Sequence, residues 1–121
     1  MNTKKTLVIG ASEKPERYSH KAIRMLRKHN HPVVAIGNRM GRVEDVAFTK
    51  DHQPYQDIDT VTLYIGPAHQ PEYYNYILSL KPRRIIFNPG TENDELMAQA
   101  KAAGIQCMEA CTLVLLSTGQ Y

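Results

Sequence analysis

Apolar residues along the chain fall into short unbroken runs that alternate with stretches of helical spacing. The runs predict five β-strands at residues 6–9, 32–36, 60–65, 84–87 and 105–109. The run 32–36 shows no alternation of polar and apolar positions, which is typical of a strand buried on both faces. Apolar spacing predicts helices over residues 19–29, 70–80 and 94–103, the first with Ser19 as its N-cap.

Two parts of the chain have a less regular pattern. Residues 37–59 contain the turn signals Gly37-Asn38 and Met40-Gly41, and we expect a short helix or an edge piece there. Residues 111–116 form a short apolar tail after the last strand.

Strands that alternate with helices of about ten residues indicate a parallel sheet covered on both faces, because parallel strands need crossover connections. We therefore predict an α/β fold of the Rossmann-like type, with three αβα layers and a five-stranded, mostly parallel sheet. The length of 121 residues fits one domain, residues 1–121, and leaves no room for a separate catalytic domain.

Composition narrows the classes of partner. No apolar run approaches the roughly twenty residues that span a bilayer, and the polar start before Thr6 predicts no secretory signal, so we expect a cytoplasmic protein without membrane contact. The net charge of +3 is mild and its basic residues are scattered, which favours a small anionic ligand over nucleic acid. Cys107 and Cys111 are too few for a disulfide framework, and neither pairs with ligands at metal-binding spacing.

The carboxyl ends of the first four predicted strands carry turn residues at similar positions. Ligands of parallel α/β sheets bind outside this edge, where the strand order switches. The pattern selects four candidate loops: residues 10–12, 36–39, 65–67 and 88–90. Gly10 after the first strand lets main-chain N–H groups approach a phosphate, and the following helix directs its positive dipole end to the same spot.

The residues after the second strand bear on which nucleotide would bind. A dinucleotide fingerprint would read Gly-x-Gly-x-x-Gly, followed by an acidic residue at the end of the second strand. Here only Gly10 is present, and the second strand is followed by Gly37-Asn38-Arg39-Met40-Gly41-Arg42 without a carboxylate. Arg39 and Arg42 suit a ribose phosphate instead, which leaves NADP and coenzyme A (CoA) as candidates.

The order of these motifs resembles the CoA-binding domain family, small stand-alone Rossmann proteins similar to the nucleotide-binding domain of the succinyl-CoA synthetase alpha subunit. The motifs that carry the resemblance are Gly10-Ala11-Ser12, Arg17-Tyr18-Ser19, Gly37-Asn38, Ile58-Asp59-Thr60-Val61, Asn88-Pro89-Gly90-Thr91-Glu92 and Glu109-Ala110-Cys111. They extend over essentially the whole chain. Two motifs depart from the family pattern, which often has Asn-Pro where Asn38-Arg39 stands and Asp-Arg-Cys where Glu109-Ala110-Cys111 stands.

The resemblance implies which residues hold CoA. The pyrophosphate would lie near the first loop and the start of the first helix, at Gly10, Ala11, Ser12, Tyr18 and Ser19. The adenosine and its 3′-phosphate would lie near Gly37, Asn38 and Arg39. The adenine and pantetheine path would be lined by Ile65, Gly66, Pro67, Asn88, Pro89 and Gly90, with Cys111 near the crevice after the fifth strand.

Catalysis is not predicted by these motifs. In the synthetase relatives a phosphorylated histidine lies in a second domain that this chain lacks, so no histidine inherits that role. Cys111 is the one candidate nucleophile, and the alternative interpretation is a small apolar core residue. We expect a CoA-binding module that is not itself an enzyme, with an unidentified protein partner possible. The alternatives are a small NADP-dependent oxidoreductase and a thiol-based redox or acyl-carrier protein that uses Cys111.

Overall fold

The computed structural model describes residues 3–121 as an alternation of strands and helices, so Met1 and Asn2 of the polar start lie outside the described residues. In chain order the elements are β1 (Thr6–Ala11), α1 (Tyr18–Lys28), β2 (Val33–Gly37), β3 (Gly41–Val43), β4 (Val46–Phe48), β5 (Thr60–Leu63), α2 (Tyr74–Leu80), β6 (Arg84–Phe87), α3 (Asp94–Ala102), β7 (Gln106–Glu109) and α4 (Thr112–Ser117).

The central sheet has five strands in the order β2-β1-β5-β6-β7, and every neighbouring pair is parallel. The predicted Rossmann-like α/β fold is therefore confirmed. From β1 the chain proceeds first to β2 on one side and later to β5 on the other side. The strand order thus reverses between β1 and β5, which is where parallel α/β sheets form a crevice.

Apolar side chains cover both faces of this sheet and form two separate clusters. Strand β1 supplies both, because alternate residues of a strand point to opposite faces: Leu7 and Ile9 belong to one cluster and Val8 to the other. Helical residues complete the clusters, Ile77 and Leu96 on the first face and Ile23 and Leu116 on the second. The protein is therefore built from three layers, with helices on both sides of the sheet.

The irregular segment 37–59 contains an antiparallel hairpin, β3–β4. Its strands are only three residues long, too short for a periodic apolar pattern to reveal them. The hairpin lies against β2, because Ile36 forms a bridge with Thr49 and the Gly37 N–H donates to the Thr49 carbonyl oxygen at 3.0 Å. It thereby covers part of an otherwise exposed strand edge.

Ion pairs join the turn of this hairpin to α1. The Arg24 Nε lies 3.2 Å from Glu44 Oε1, and Arg27 forms two hydrogen bonds of 2.9 Å with the Asp45 carboxylate. The hydrogen bond from Arg27 lowers the pKa of Asp45. Because both pairs are exposed to solvent, their contribution to stability is small, and the apolar residues beneath them hold the hairpin.

Several predicted element boundaries are wrong, including that of β1, which continues to Ala11 and does not end at residue 9. Helix α1 begins at Tyr18 with Arg17 at the N-cap, and Ser19 is buried within its first turn. The predicted helix 70–80 is α-helical only over Tyr74–Leu80, after two 3₁₀ turns that start at Pro67 and Pro71. Proline has no N–H for the helical hydrogen bond, which favours such short turns. The third strand ends at Leu63, two residues earlier than predicted.

The apolar tail forms a further helix, α4, which packs Leu116 into the second apolar cluster. Among residues 3–121, none of the helices combines the length and the apolar character needed to cross a bilayer.

His31 is buried at the amino edge of the sheet, with 7% of its surface exposed. Its Nδ1 accepts a hydrogen bond of 2.9 Å from the Lys4 N–H, so this nitrogen carries no proton in the folded state. Burial lowers the pKa of His31, and the positive charges of Lys4, His29 and Arg84 lower it further, against the opposing effect of Asp59.

We expect His31 to make the protein less stable in mild acid. Its pKa in the folded protein lies below the ordinary value of 6.5, so the unfolded chain binds more protons below that pH. The stabilisation is present above about pH 6.5 and is lost as the pH falls through the folded-state pKa. Urea unfolding at about pH 7.5 and 5 should show a smaller pH dependence in His31→Gln than in the parent.

The exposed His69 provides the matched control, since it is not among the groups that shift the pKa of His31 and His69→Gln should keep the parent's pH dependence. If His31→Gln lost as much stability as the parent between about pH 7.5 and 5, His31 would not be the cause of the acid sensitivity.

Candidate functional site

A cavity of about 600 Å³ opens at the carboxyl edge of the sheet, at the switch point between β1 and β5. Its wall is formed by the segments that follow β1, β2, β5 and β6, the four loops that the sequence selects, and by Phe48 of the hairpin. A volume of this size is in the range of cofactor and small-molecule sites.

Most of the predicted site residues line this cavity, namely Gly10, Ala11, Ser12, Tyr18, Ser19, Asn38, Arg39, Ile65, Gly66, Pro89 and Gly90. The wall also contains residues that we did not predict as site residues: Glu13, Lys14, Arg17, Met40, Phe48, Tyr64 and Thr91. Glu13, Lys14 and Arg17 lie in the segment that joins β1 to α1. A prediction that included this whole loop, and not only residues 10–12, would have contained them.

Four predicted residues lie outside the cavity wall, and their contact with a ligand stays a prediction. Gly37 is buried beneath the hairpin, where an added Cβ would lie 2.5 Å from the Ala11 carbonyl oxygen. Pro67 is exposed at the start of the first 3₁₀ turn, and Cys111 is half-buried just before α4. Asn88, the fourth, uses its side chain inside the protein.

The side chain of Asn88, which directly follows β6, forms hydrogen bonds with both β5 and α4. Its Nδ2 donates to Thr62 Oγ1 at 2.7 Å and to the Leu63 carbonyl oxygen at 2.8 Å, both in β5. Its Oδ1 accepts from the N–H of Thr112, the first residue of α4. With 2% of its surface exposed, this amide fixes the end of β6 relative to β5 and α4.

A second buried amide connects the loops that follow β5 and β6. Gln70 is fully buried, and its Nε2 donates to the carbonyl oxygens of Ile65 and Thr91 at 3.0 and 2.8 Å. Its Oε1 accepts from Asn93 Nδ2, and the Asn93 Oδ1 caps the start of α3. Ile65 and Thr91 both line the cavity, so this network sets the distance between two of its walls.

Gly10 allows the loop after β1 to lie directly on the end of β5. Its φ of +101° belongs to the region that residues with a side chain avoid. A Cβ at this position would lie 2.9 Å from the Tyr64 carbonyl oxygen and 3.1 Å from Ile65 Cγ2. The need for glycine here therefore comes first from packing between two backbones, before any ligand is considered.

The N-terminus of α1 faces the cavity through Tyr18 and Ser19. No side chain caps this helix end, and its first turn contains no acidic residue. The first N–H groups of an α-helix lack partners within the helix, and together with the helix dipole they favour an anion. His20 Nδ1 donates to the Ser12 carbonyl oxygen at 3.1 Å, which fastens the loop to the helix.

Charged side chains in the wall are mostly cationic. Lys14, Arg17 and Arg39 line the cavity, and none of the three forms an ion pair within residues 3–121. Arg42, the other predicted phosphate ligand, is exposed in β3 and outside the wall. The wall thus offers three positive side chains beside an uncapped helix end.

Among residues 3–121, Glu13 supplies the one carboxylate in the wall of this cavity. Its Oε2 accepts a hydrogen bond of 3.0 Å from the Arg42 N–H, which joins the loop after β1 to the first strand of the hairpin. An added Cβ on Gly41 would lie 2.7 Å from Glu13 Cγ and 2.8 Å from Phe48 Cζ, so the carboxylate needs the glycine beneath it. No carboxylate follows the second strand in the sequence, and the structure brings one from a different loop to β3, the first strand of the hairpin that follows β2.

Tyr64 lines the floor, and burial raises its pKa to about 12, so its phenol is neutral at physiological pH. Burial likewise raises the pKa of the Cys107 thiol. Among residues 3–121, no three His, Cys, Asp or Glu side chains gather into a group that could hold a metal ion.

The fold and this cavity define a Rossmann-like α/β protein with a crevice at the topological switch point. The CoA binding domain family matches residues 4–117. The chain therefore belongs to the CoA binding domain family. No curated protein matched the chain.

Solved structures share the fold over nearly the whole chain. A crystal structure of a protein described only as uncharacterised is 44% identical, with a TM-score of 0.97 and 100% of both chains covered. A hypothetical protein from Pyrococcus horikoshii OT3 is 23% identical, with a TM-score of 0.86 over 97% of this chain and 84% of that chain. A Thermus thermophilus protein is 20% identical, with a TM-score of 0.81 over 98% and 91%.

We predict that Gly10→Ala destabilises the fold itself. The left-handed backbone costs a residue with a side chain about 1–3 kcal/mol, and the contact with the Tyr64 carbonyl adds to that cost. Chemical unfolding should give a lower free energy of unfolding, with an unchanged dependence on denaturant.

Gly66→Ala is the control in the same cavity wall. Gly66 has a φ of −68° and nothing within 4 Å of an added Cβ, so this variant should keep the parent's stability. Equal stability of Gly10→Ala and Gly66→Ala would refute the argument from backbone packing.

Proposed function

We propose that this protein is a CoA-binding module without catalysis of its own. The observation that carries the proposal is the cavity at the switch point, where the uncapped end of α1 meets three cations that have no ion-pair partner within residues 3–121. Membership of the CoA binding domain family supports the same class of ligand.

The pyrophosphate would lie at the loop after β1. The segment from Gly10 to Ser12 and the first turn of α1 line the cavity, and Lys14 and Arg17 add positive charge beside them. A phosphate there gains hydrogen bonds with backbone groups that are already in place, so little conformational entropy is lost on binding.

The adenosine and its 3′-phosphate would lie at the segment after β2. Asn38 and Arg39 belong to the cavity wall, and the guanidinium of Arg39 is exposed and free of any carboxylate among residues 3–121. Arg39 offers planar donors that match a phosphate, and Arg42 lies too far along the hairpin to share the wall.

The proposal of a binding module without catalysis rests on the composition of the wall. In the described part of the chain, residues 3–121, no histidine and no cysteine line the cavity. Cys111, the one candidate nucleophile of the sequence analysis, stands outside the wall before α4. The pantetheine arm would leave along Ile65, Gly66, Pro89 and Gly90, which present backbone and apolar groups.

Ligand identity can be tested by thermal unfolding. CoA should raise the melting temperature more than NAD or NADP at equal concentration, because a ligand at one hundred times its Kd stabilises the folded state by about 2.7 kcal/mol. A shift with NADP and none with CoA would support the oxidoreductase alternative instead.

Arg39→Ala tests the contact with the 3′-phosphate. We expect the parent to bind CoA more tightly than dephospho-CoA by about 1.5–3 kcal/mol, the value of a charge-assisted hydrogen bond. Calorimetry should show that Arg39→Ala loses most of this difference and binds dephospho-CoA with nearly the parent's affinity. Arg42→Ala should have a smaller effect that decreases with salt.

Arg83→Ala is the matched control for Arg39→Ala. Arg83 is an exposed arginine outside the cavity wall, immediately before β6 at the opposite edge of the sheet, so its loss removes one positive charge without touching the site. If the parent bound CoA and dephospho-CoA with equal affinity, Arg39 would not bind the 3′-phosphate.

A further inference from the structure

Glu13 is an unexpected residue in a cavity that otherwise attracts anions. The inference below rests on the nucleotide site proposed above and concerns how that site distinguishes CoA from NADP. Both ligands carry an extra phosphate on the adenosine ribose, at the 3′ position in CoA and at the 2′ position in NADP. Arg39 alone does not distinguish the two ligands, because a guanidinium can donate hydrogen bonds to a phosphate at either position.

The position of the Glu13 carboxylate is set by two features of the hairpin. Oε2 accepts from the Arg42 N–H, and the missing side chain at Gly41 leaves the space in which Cγ and Cδ lie. Oε1 receives no hydrogen bond from any of residues 3–121. The carboxylate is thus held in the cavity wall with one oxygen available to a ligand.

A carboxylate is an unfavourable choice for a purely structural contact at this place. The Arg42 N–H needs only an acceptor, and a neutral amide oxygen can also fill that role. A negative charge beside a phosphate site lowers the affinity for the ligand unless the ligand donates a hydrogen bond to it. In Rossmann folds that bind NAD, an acidic residue at the end of the second strand accepts from the ribose 2′-hydroxyl.

We propose that Glu13 accepts a hydrogen bond from the ribose 2′-hydroxyl and thereby selects a 3′-phosphate over a 2′-phosphate. CoA keeps its 2′-hydroxyl free and can donate to the carboxylate. NADP carries a phosphate at that position, which is mostly deprotonated at neutral pH and has the same sign of charge as Glu13. Glu13 is then the residue that determines specificity, and Arg39 supplies affinity for the phosphate.

Two isomeric probes isolate this effect. Adenosine 3′,5′-bisphosphate and adenosine 2′,5′-bisphosphate have the same composition and charge and differ only in which ribose hydroxyl is free. Calorimetry on the parent should show tighter binding of the 3′,5′ isomer by about tenfold or more, the effect expected of one hydrogen bond to a charged group.

Glu13→Gln keeps the shape of the side chain and an oxygen for the Arg42 N–H, and it removes the charge. We expect this variant to bind the 2′,5′ isomer more tightly than the parent does and to reduce the preference to about threefold or less. Glu16→Gln is the matched control, because Glu16 is exposed in the same loop and outside the cavity wall. It should keep the full preference.

The outcomes separate this inference from the proposed function. Equal binding of the two isomers by a parent that binds CoA would overturn the role of Glu13 and leave the CoA site standing. A full preference retained in Glu13→Gln, or lost equally in Glu16→Gln, would also overturn it. Tighter binding of the 2′,5′ isomer by the parent would overturn both, and no binding of either isomer or of CoA would overturn the proposed function.

Discussion

The cavity depends on the close approach of two backbones at the junction of β1 and β5. Ile9 pairs with Leu63, the Tyr64 N–H donates to the Ile9 carbonyl oxygen at 2.9 Å, and Gly10 then lies against the Tyr64 carbonyl. The register with β2 skips Gly10, so β1 contains a bulge in which any side chain at this position would be strained. This junction forms the floor of the cavity, and the four loops form its walls.

The side-chain amides of two buried residues hold the loops around the cavity in position relative to one another. Asn88 connects β6 to β5 and α4, and Gln70 connects the loop after β5 to the loop after β6. Each amide has its donors and acceptors matched by protein groups, because an unpaired polar group at such depth costs about 1–3 kcal/mol. The walls are therefore positioned before any ligand arrives, which reduces the entropic cost of binding.

The sequence predicted the sheet and its layers because both follow from local patterns. Unbroken apolar runs mark strands covered on two faces, and helical spacing between them requires parallel connections. The β3–β4 hairpin was expected only as a short helix or an edge piece, and the helix of the tail was not predicted. The two strands have three residues each and the helix has six, and both elements are stabilised by distant contacts, such as those of Phe48 and Leu116 with the second apolar cluster.

For the site, the sequence by itself determined which loops meet, since the carboxyl ends of parallel strands share one edge in any such sheet. It did not determine which side chains in those loops face the cavity. Asn88 turns inward to a hydroxyl and a carbonyl of β5, and Glu13 reaches a backbone N–H that is 29 residues away along the chain. Only the tertiary structure decided these orientations, because each depends on a partner brought near by the packing of other elements.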